Sequence, residues 1–352
     1  MQKWYEESVT EANKYVVSSR IRLVRNSGMY PFPAKISETD AKNFVDDTIT
    51  NIKSDLESSD DIFVGEKQKM NYIDLTSHPE IQKMALKERR AINGNIASKK
   101  GVSYLMLSES EDLSIVLNGD DHIRLQYLSR GEKLADMWTA INKLDDHIND
   151  SVSYAFDDKY GYMTSFLTNI GTGMRANVVL HLPGICADGK FRDLVEQMNR
   201  FGINMRGVFG HGNKNYGSLY DISNSKTLGM SEREIIELIL KAAQQLSSQE
   251  EKARSMALRS NTLRCTDESY KSYGVLKYAR RISLRDALVY LAQIMRGIED
   301  GVLPIDSTFP IYKLILECQS ANIMSTSDRP LKKEEVDEAR ATYIREHLPD
   351  IK

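Results

Sequence analysis

Apolar and polar positions between residues 15 and 230 alternate between a period of two and a helical period. SYLMLS (103–108), LSIVLN (113–118), HIRLQYL (122–128), ANVVLHL (176–182) and INMRGVFG (203–210) read as strands. In HIRLQYL, Ile123, Leu125 and Tyr127 alternate with Arg124, Gln126 and Leu128, so one face joins a core and the other is free to present Arg124. INMRGVFG likewise sets Ile203, Met205 and Gly207 against Asn204 and Arg206. Residues 210–230, GHGNKNYGSLYDISNSKTLGM, read as turn-rich. Ser231-Glu232-Arg233-Glu234 then has the form of a capping box, predicting a long helix through Ser260. Helical periods follow in SLRDALVYLAQIMRGIEDG (283–301), PIYKLILECQSANIM (310–324) and KKEEVDEARATYIREHL (332–348). The shift from mixed to helical pattern places a domain boundary near residue 250.

The 352 residues, 41% hydrophobic and 28% charged, are enough for one large domain plus a smaller one. No apolar run approaches the roughly 18 to 20 residues that a bilayer crossing needs. The N-terminal MQKWYEESVTEANK is too polar for a secretory signal, so the chain reads as cytoplasmic and without membrane contact. Cys186, Cys265 and Cys318 are odd in number and far apart, which argues against a disulfide framework or a zinc site. The net charge of −3 gives no expectation of nucleic-acid binding, although local anion binding stays open.

Candidate chemistry enters through five arginines: Arg20 and Arg22 in VVSSRIRLVRN, Arg124 in DHIRLQ, Arg175 in GTGMRANV and Arg206 in NMRGVFG. A guanidinium donates paired hydrogen bonds to phosphate oxygens and keeps its charge. Several around one polyphosphate would neutralise charge as it moves during phosphoryl transfer. There is no Walker GxxxxGK[ST] and no kinase HRD or DFG set, so a nucleotide site here would be built of arginines. Taken singly, each arginine is read more simply as a surface or ion-pair residue, and GTG as a tight bend. The ensemble carries the argument.

SSRIRLVRN, PFP at 31–33, LNGDDHIRLQ, FDDKYGYMTSFLTNIGTGMRANVVLHLPG, MNRFGINMRGVFGHG and YDISNSKTLGMSE occur in this order. Together they resemble the phosphagen (guanidino) kinase superfamily, and within it the bacterial protein-arginine kinases. The likeness continues through YKSYGVLKYARRI and the DRP…IREHL end. It implies an α+β fold with a large antiparallel sheet flanked by helices and a smaller α-helical C-terminal domain. Residues 1–250 would be the ATP:guanidino phosphotransferase domain, and 251–352 the helical domain for dimerisation and phosphoarginine recognition. The resemblance implies ATP as the phosphoryl donor, with Mg2+ carried on its phosphates and no metal site of the protein's own. The nucleotide-binding positions it implies are Ser18, Ser19, Arg20, Ile21, Arg22, Arg124, Arg175, Ala176, Asn177, Val178 and Val179, then Arg206, Gly207, Val208, Phe209 and Gly210. Implied partners are proteins presenting arginine side chains, a zinc-containing activator protein and a second copy of the chain.

The chain departs from that pattern on the acceptor side. Where the family has cysteine-proline, with a thiolate that polarises the substrate guanidinium, this chain has Phe166-Leu167; a phenyl ring offers at most a cation–π face. The family's NEEDH reads Asn118-Gly119-Asp120-Asp121-His122, so the substrate-clamping glutamate is matched by the shorter Asp120. Its RGxxGE loop reads Arg206 to His211, placing a histidine where a glutamate takes the proton. Histidine can act as a base, but it supplies no negative charge to a guanidinium. Lys214 adds positive charge to that loop, and a family histidine that lies against the nucleotide aligns with Arg90. The RDxxRA segment of the family reads Val336 to Ala341, keeping Asp337 and Arg340; a solvated helix face is the alternative there.

Two functions follow as expectations. One is an ATP-dependent protein-arginine phosphotransferase of reduced activity, in which Asp120 orients the acceptor and His211 accepts its proton. The other is an ATP-binding pseudokinase that regulates an active paralogue or a stress-response partner, with Asp120 and His211 as drifted loop residues. A kinase of small free guanidines fits less well, because the C-terminal third resembles the protein-kinase branch.

Overall fold

The structure, a computed structural model, describes residues 1–8, 14–187, 191–210 and 215–351. In chain order its elements are β1 (Val16–Arg25), α1 (Glu38–Ser58), β2 (Met70–Asp74), α2 (Glu80–Glu88), α3 (Gly94–Ser98), β3 (Tyr104–Ser108), β4 (Leu113–Leu117), β5 (Ile123–Arg130) and α4 (Leu134–Val152). There follow β6 (Phe156–Asp157), β7 (Gly161–Tyr162), β8 (Met174–His181), α5 (Pro183–Cys186), α6 (Phe191–Arg200), β9 (Ile203–Gly207) and β10 (Leu219–Asn224). The helices α7 (Glu232–Tyr278), α8 (Leu284–Glu299), α9 (Ile311–Glu317), α10 (Ser320–Ser325) and α11 (Lys333–His347) complete the chain. The architecture is the expected α+β one: an eight-stranded antiparallel sheet in the order β2-β3-β4-β5-β1-β8-β10-β9, flanked by helices, with a helical C-terminal part.

The chain divides into two compact units. The first is Met1–Trp4, Ser19–Asn177 and Ser223–Leu240; the second is Tyr5–Ser18, Val178–Ile222 and Lys241–Lys352. In the first unit, β3, β4 and β5 pair in antiparallel register, with Ile115 opposite Leu125 and Val116 opposite Arg124. Leu75, Leu86, Ile92, Ile96, Leu105, Leu107 and Val116 form one apolar cluster that seats the α2–α3 segment on β3 and β4. In the second unit, the buried residues Ala287, Leu288, Leu291, Ala292, Ile294 and Met295 repeat at helical spacing along α8, so that helix lays one apolar stripe on its neighbours. Its N-cap Ser283 accepts from the backbone N–H of Asp286.

The predicted capping box is present: Ser231 Oγ accepts from Glu234 N at 3.3 Å, and Glu234 accepts from Ser231 N at 2.7 Å. The helix it starts runs past Ser260 to Tyr278, interrupted at Asn261, whose φ −157 and ψ 72 are not helical.

Three expectations need correcting. All eight residues of β5 are buried, so the face carrying Arg124 is interior; an inner strand is covered on both sides, and alternation alone does not reveal this. The turn-rich segment contains β10, whose Leu219 and Ile222 are buried, because its few apolar residues fall at positions where sheet partners cover them. The helix expected over 310–324 breaks into α9 and α10 at Gln319, where ψ is 156. There Arg340 Nε takes the Cys318 carbonyl at 2.7 Å, and the Gln319 and Asn322 side chains both donate to Leu316 O. Tertiary bonds have replaced the helical ones.

Candidate nucleotide and acceptor site

Arg20 and Arg22 project from β1, Arg124 from β5 and Arg175 from β8, all within the first unit. Each is steadied by a neutral oxygen: Arg20 Nε donates to Asn177 Oδ1 (3.4 Å), Arg22 Nη2 to Asn169 Oδ1 (3.3 Å), Arg124 Nη2 to Gln126 Oε1 (2.9 Å) and Arg175 Nη1 to Asn224 O (3.0 Å). Among the described residues neither Arg22 nor Arg124 has an ion-pair partner, and Arg22 Nε and Arg124 Nη1 are buried with no hydrogen-bond acceptor.

The electrostatics follow. Burial pushes the Arg22 guanidinium well below its usual range, and the charges of Arg124, Arg20 and Arg175 push it further, with Asp121 opposing. Arg124 is pushed down to about 10, first by burial and then by Arg20, against Asp120 and Asp121. Several like charges gathered out of water, with donors left unmet, form a place that an anion with many oxygens would relieve.

The glycines ahead of Arg175 are required by close approach. Gly171 and Gly173 have φ of 107 and 62. A Cβ at Gly171 would lie 2.4 Å from Thr227 O, and one at Gly173 would lie 2.6 Å from both Val24 O and Arg25 Nη1. The GTG turn is thus pressed against β1, and Arg175 is delivered two residues later at a fixed place.

On the acceptor side, Asp120 accepts from Asn93 Nδ2 (2.8 Å) and Asn95 Nδ2 (3.2 Å). Its turn is braced from below: Lys99 donates to the carbonyls of Asn118 and Gly119, and a Cβ at Gly119 would press on Ile96 and Val116 at 3.3 and 3.2 Å. Asp121 is buried; it accepts from Asn26 Nδ2 at 2.8 Å and from Ser165 N at 2.6 Å, fixing the backbone next to Phe166. The Phe166 side chain is 45% exposed and Leu167 is 86% exposed, so the place of the implied thiolate is an apolar surface. Neighbouring His122 is wholly buried among Tyr30, Phe32 and Phe44. It accepts from Ser27 N through Nδ1, and burial pushes it down to about 4, so it stays neutral.

Several expected residues take other places. Ser19 Oγ donates to Gly131 O (2.7 Å), while Ile21, Ala176, Val178 and Val179 are buried in their strands and Ser18 is buried as well. Arg206 lies at the exposed end of β9 in the second unit, followed by exposed Gly207 and half-buried Val208 and Phe209. Arg90 has a φ of 71, and its carbonyl accepts from Gln126 Nε2, which links it to Arg124. His211 and Lys214 lie outside the described residues. Arg340 is buried rather than solvated. Its guanidinium donates to Cys318 O, Ile282 O, Ser320 Oγ and Asp337, so a phosphate would have to displace existing partners.

The sequence reading missed the residues that hold the arginines, namely Asn169, Gln126 and Asn224. An amide side chain in a strand or turn has no pattern that announces it as a guanidinium rest. Among the described residues no cluster of His, Cys, Asp or Glu could hold a metal ion, and no helix is long and apolar enough to cross a membrane.

Comparison with known proteins adds to this geometry. The family model described as ATP:guanido phosphotransferase, C-terminal catalytic domain, matches residues 51–253, and that of the protein-arginine kinase McsB C-terminal domain matches 262–352. The chain is 33% identical over 333 residues to a protein-arginine kinase of Brevibacillus brevis, covering 95% of this chain and 91% of that one. It is 32% identical over 348 residues to a protein-arginine kinase of Clostridium acetobutylicum, covering 99% and 100%. Among solved structures it resembles a lombricine kinase with a TM-score of 0.59 at 20% identity over 71% of each chain. It also resembles the duplicated taurocyamine kinase of Schistosoma mansoni, with a TM-score of 0.54 at 24% identity over 71% of this chain and 34% of that one. At those identities the structures bear on the fold alone.

Proposed function

The chain belongs to the ATP:guanido phosphotransferase family, on its protein-arginine kinase branch, and from that premise we propose that it binds ATP and transfers the γ-phosphoryl group to arginine side chains of proteins at a reduced rate. The observation that carries this reading is the set Arg20, Arg22, Arg124 and Arg175, held by neutral oxygens, with buried donors on Arg22 and Arg124 left without acceptors. Those donors are proposed to meet the nucleotide phosphates; Arg206 is proposed as a further phosphate contact, and Mg2+ would travel with the nucleotide. Asp120 is proposed to orient the incoming guanidinium, and His211 to accept its proton. The reduced rate follows from Phe166, which can neither pair with nor polarise a cation by charge. Removing one positioned acid–base group costs about two to four orders of magnitude.

The same observation supports a second reading, a nucleotide-binding regulator without turnover. Asp120 is already engaged by Asn93 and Asn95, and a substrate would have to compete with them. Residues 251–352 are read as the dimerisation domain under either reading, and a zinc-containing activator as a partner. Mass spectrometry at neutral pH after incubation with magnesium ATP and a mixed protein substrate separates the two. Phosphoarginine above that of Arg175→Ala and lost in Asp120→Ala supports the transferase. An ATP-dependent melting shift without product supports the regulator, and neither signal would overturn both.

A further inference from the structure

Asn93 and Asn95 stand at the start of α3, and both donate to Asp120: Asn93 to Oδ2 at 2.8 Å and Asn95 to Oδ1 at 3.2 Å. They are held differently. Asn93 Oδ1 accepts from Ile96 N at 2.8 Å and caps the helix. A backbone N–H only donates and a carboxylate only accepts, so these two contacts fix the orientation of the Asn93 amide and aim its Nδ2 at Asp120. The backbone on either side is fixed as well, because Ile92 and Ile96 are buried in the apolar cluster on β3 and β4. Asn95 is exposed, and its bond to Asp120 is the longer of the two.

These contacts leave the charge of Asp120 in place. Amides are neutral, and among the described residues no cation forms an ion pair with Asp120; the Lys99 ammonium donates to the Asn118 and Gly119 carbonyls instead. The Asp120 charge is felt at Arg124, whose proton it helps to retain, so the carboxylate lies near the arginine cluster. An anion steadied by neutral donors mirrors the arginines steadied by neutral oxygens, and each keeps its charge for a ligand of opposite sign. A guanidinium brings a full positive charge with the two donors of its fork, so it out-competes an exposed amide for a carboxylate oxygen.

We infer that Asn93 is a positioning residue for the acceptor, holding Asp120 by one oxygen, and that Asn95 covers the other oxygen until an arginine guanidinium displaces it. This pair of roles rests on the proposed part of Asp120 in orienting the acceptor. Asn93 is fixed by its cap and stays in place, whereas Asn95 is the amide that yields.

Isothermal titration of the full chain with a Gly-Gly-Arg-Gly-Gly peptide, in the presence of magnesium ADP, tests this without requiring turnover. Wild type should bind the peptide saturably and Asp120→Ala should not. A wild type without binding, or an Asp120→Ala that binds equally well, overturns the acceptor role of Asp120 and the roles of both asparagines with it. Asn93→Ser keeps a cap, since a serine hydroxyl also accepts from the backbone N–H of Ile96, but it removes the donor to Asp120. It should weaken the peptide about tenfold while the unliganded melting point and the ATP-dependent melting shift stay at wild-type level. Asn95→Ala should instead tighten the peptide about threefold. Wild-type affinity in Asn93→Ser, beside an Asp120→Ala that has lost the peptide, overturns the asparagine roles and leaves that of Asp120 standing. A melting point that falls together with the affinity in Asn93→Ser makes Asn93 a plain helix cap, and a weakened peptide in Asn95→Ala makes Asn95 a plain support; either also overturns the inference.

Discussion

Arg254 and Arg124 are both almost wholly removed from solvent, at 1% and 6% exposure, yet their surroundings are opposite. Arg254 is met by Glu250, Glu299 and Asp300 and lies over the Tyr15 ring, and its carboxylate neighbours raise its proton affinity. Arg25 is of the same kind, with Asp145 at 2.7 Å and the Tyr162 ring 3.6 Å away. Arg124 has a glutamine, other arginines and a donor with no acceptor. The first arrangement closes on itself and holds the fold. The second bears a desolvation cost that the folded chain does not recover alone, and the proposed nucleotide site rests on that difference.

The largest expected effect tests the closed arrangement. Arg254→Leu leaves Glu250 and Glu299 without their cation, while Asp300 keeps Arg296, and should cost about 3–5 kcal/mol in urea denaturation, or prevent folding; a loss under about 1 kcal/mol would show the network to be dispensable. His122 tests the other route open to an unpaired buried group, which is to give up its charge. The folded chain holds it near 4, against an ordinary value of about 6.5. The unfolded chain therefore takes up the proton first, and stability should fall by up to about 3 kcal/mol as pH drops from about 6.5 to about 4. His122→Gln should flatten that limb of a pH–stability curve.

Arg124→Met addresses the comparison directly. Without ligand its melting point should stay level or rise, while ATP affinity falls roughly ten- to a hundredfold. A lowered unliganded melting point with the ATP shift intact would reverse the assignment. The smallest effect is that of Asn169→Ala, which removes a neutral rest from Arg22 and should cost about 1 kcal/mol by urea denaturation.

How much of this was legible in the sequence depends on the kind of interaction. β3, β4 and β5 could be read because apolar residues in short runs bounded by polar ones have few other uses. β10 could not, since LYDISN owes its strand state to sheet partners, and the break at Gln319 could not, since it answers to Arg340 twenty-one residues away in the chain. The arginines of the candidate site were visible as residues. Whether an arginine is a strut or is left for a proposed ligand was not, because that depends on carboxylates brought by distant segments: Asp145 reaches Arg25 from α4, and among the described residues no comparable ion pair reaches Arg22 or Arg124.

Asp121 carries one consequence further. By holding Ser165 N it sets the course of the turn through the backbone, and the Phe166 carbonyl is held by Thr164 Oγ1, so the side chain at 166 contributes little to folding. Selection for a stable protein and selection for chemistry are thereby uncoupled at that position. A lineage can exchange the residue there, losing or regaining reactivity, without ever passing through a chain that fails to fold.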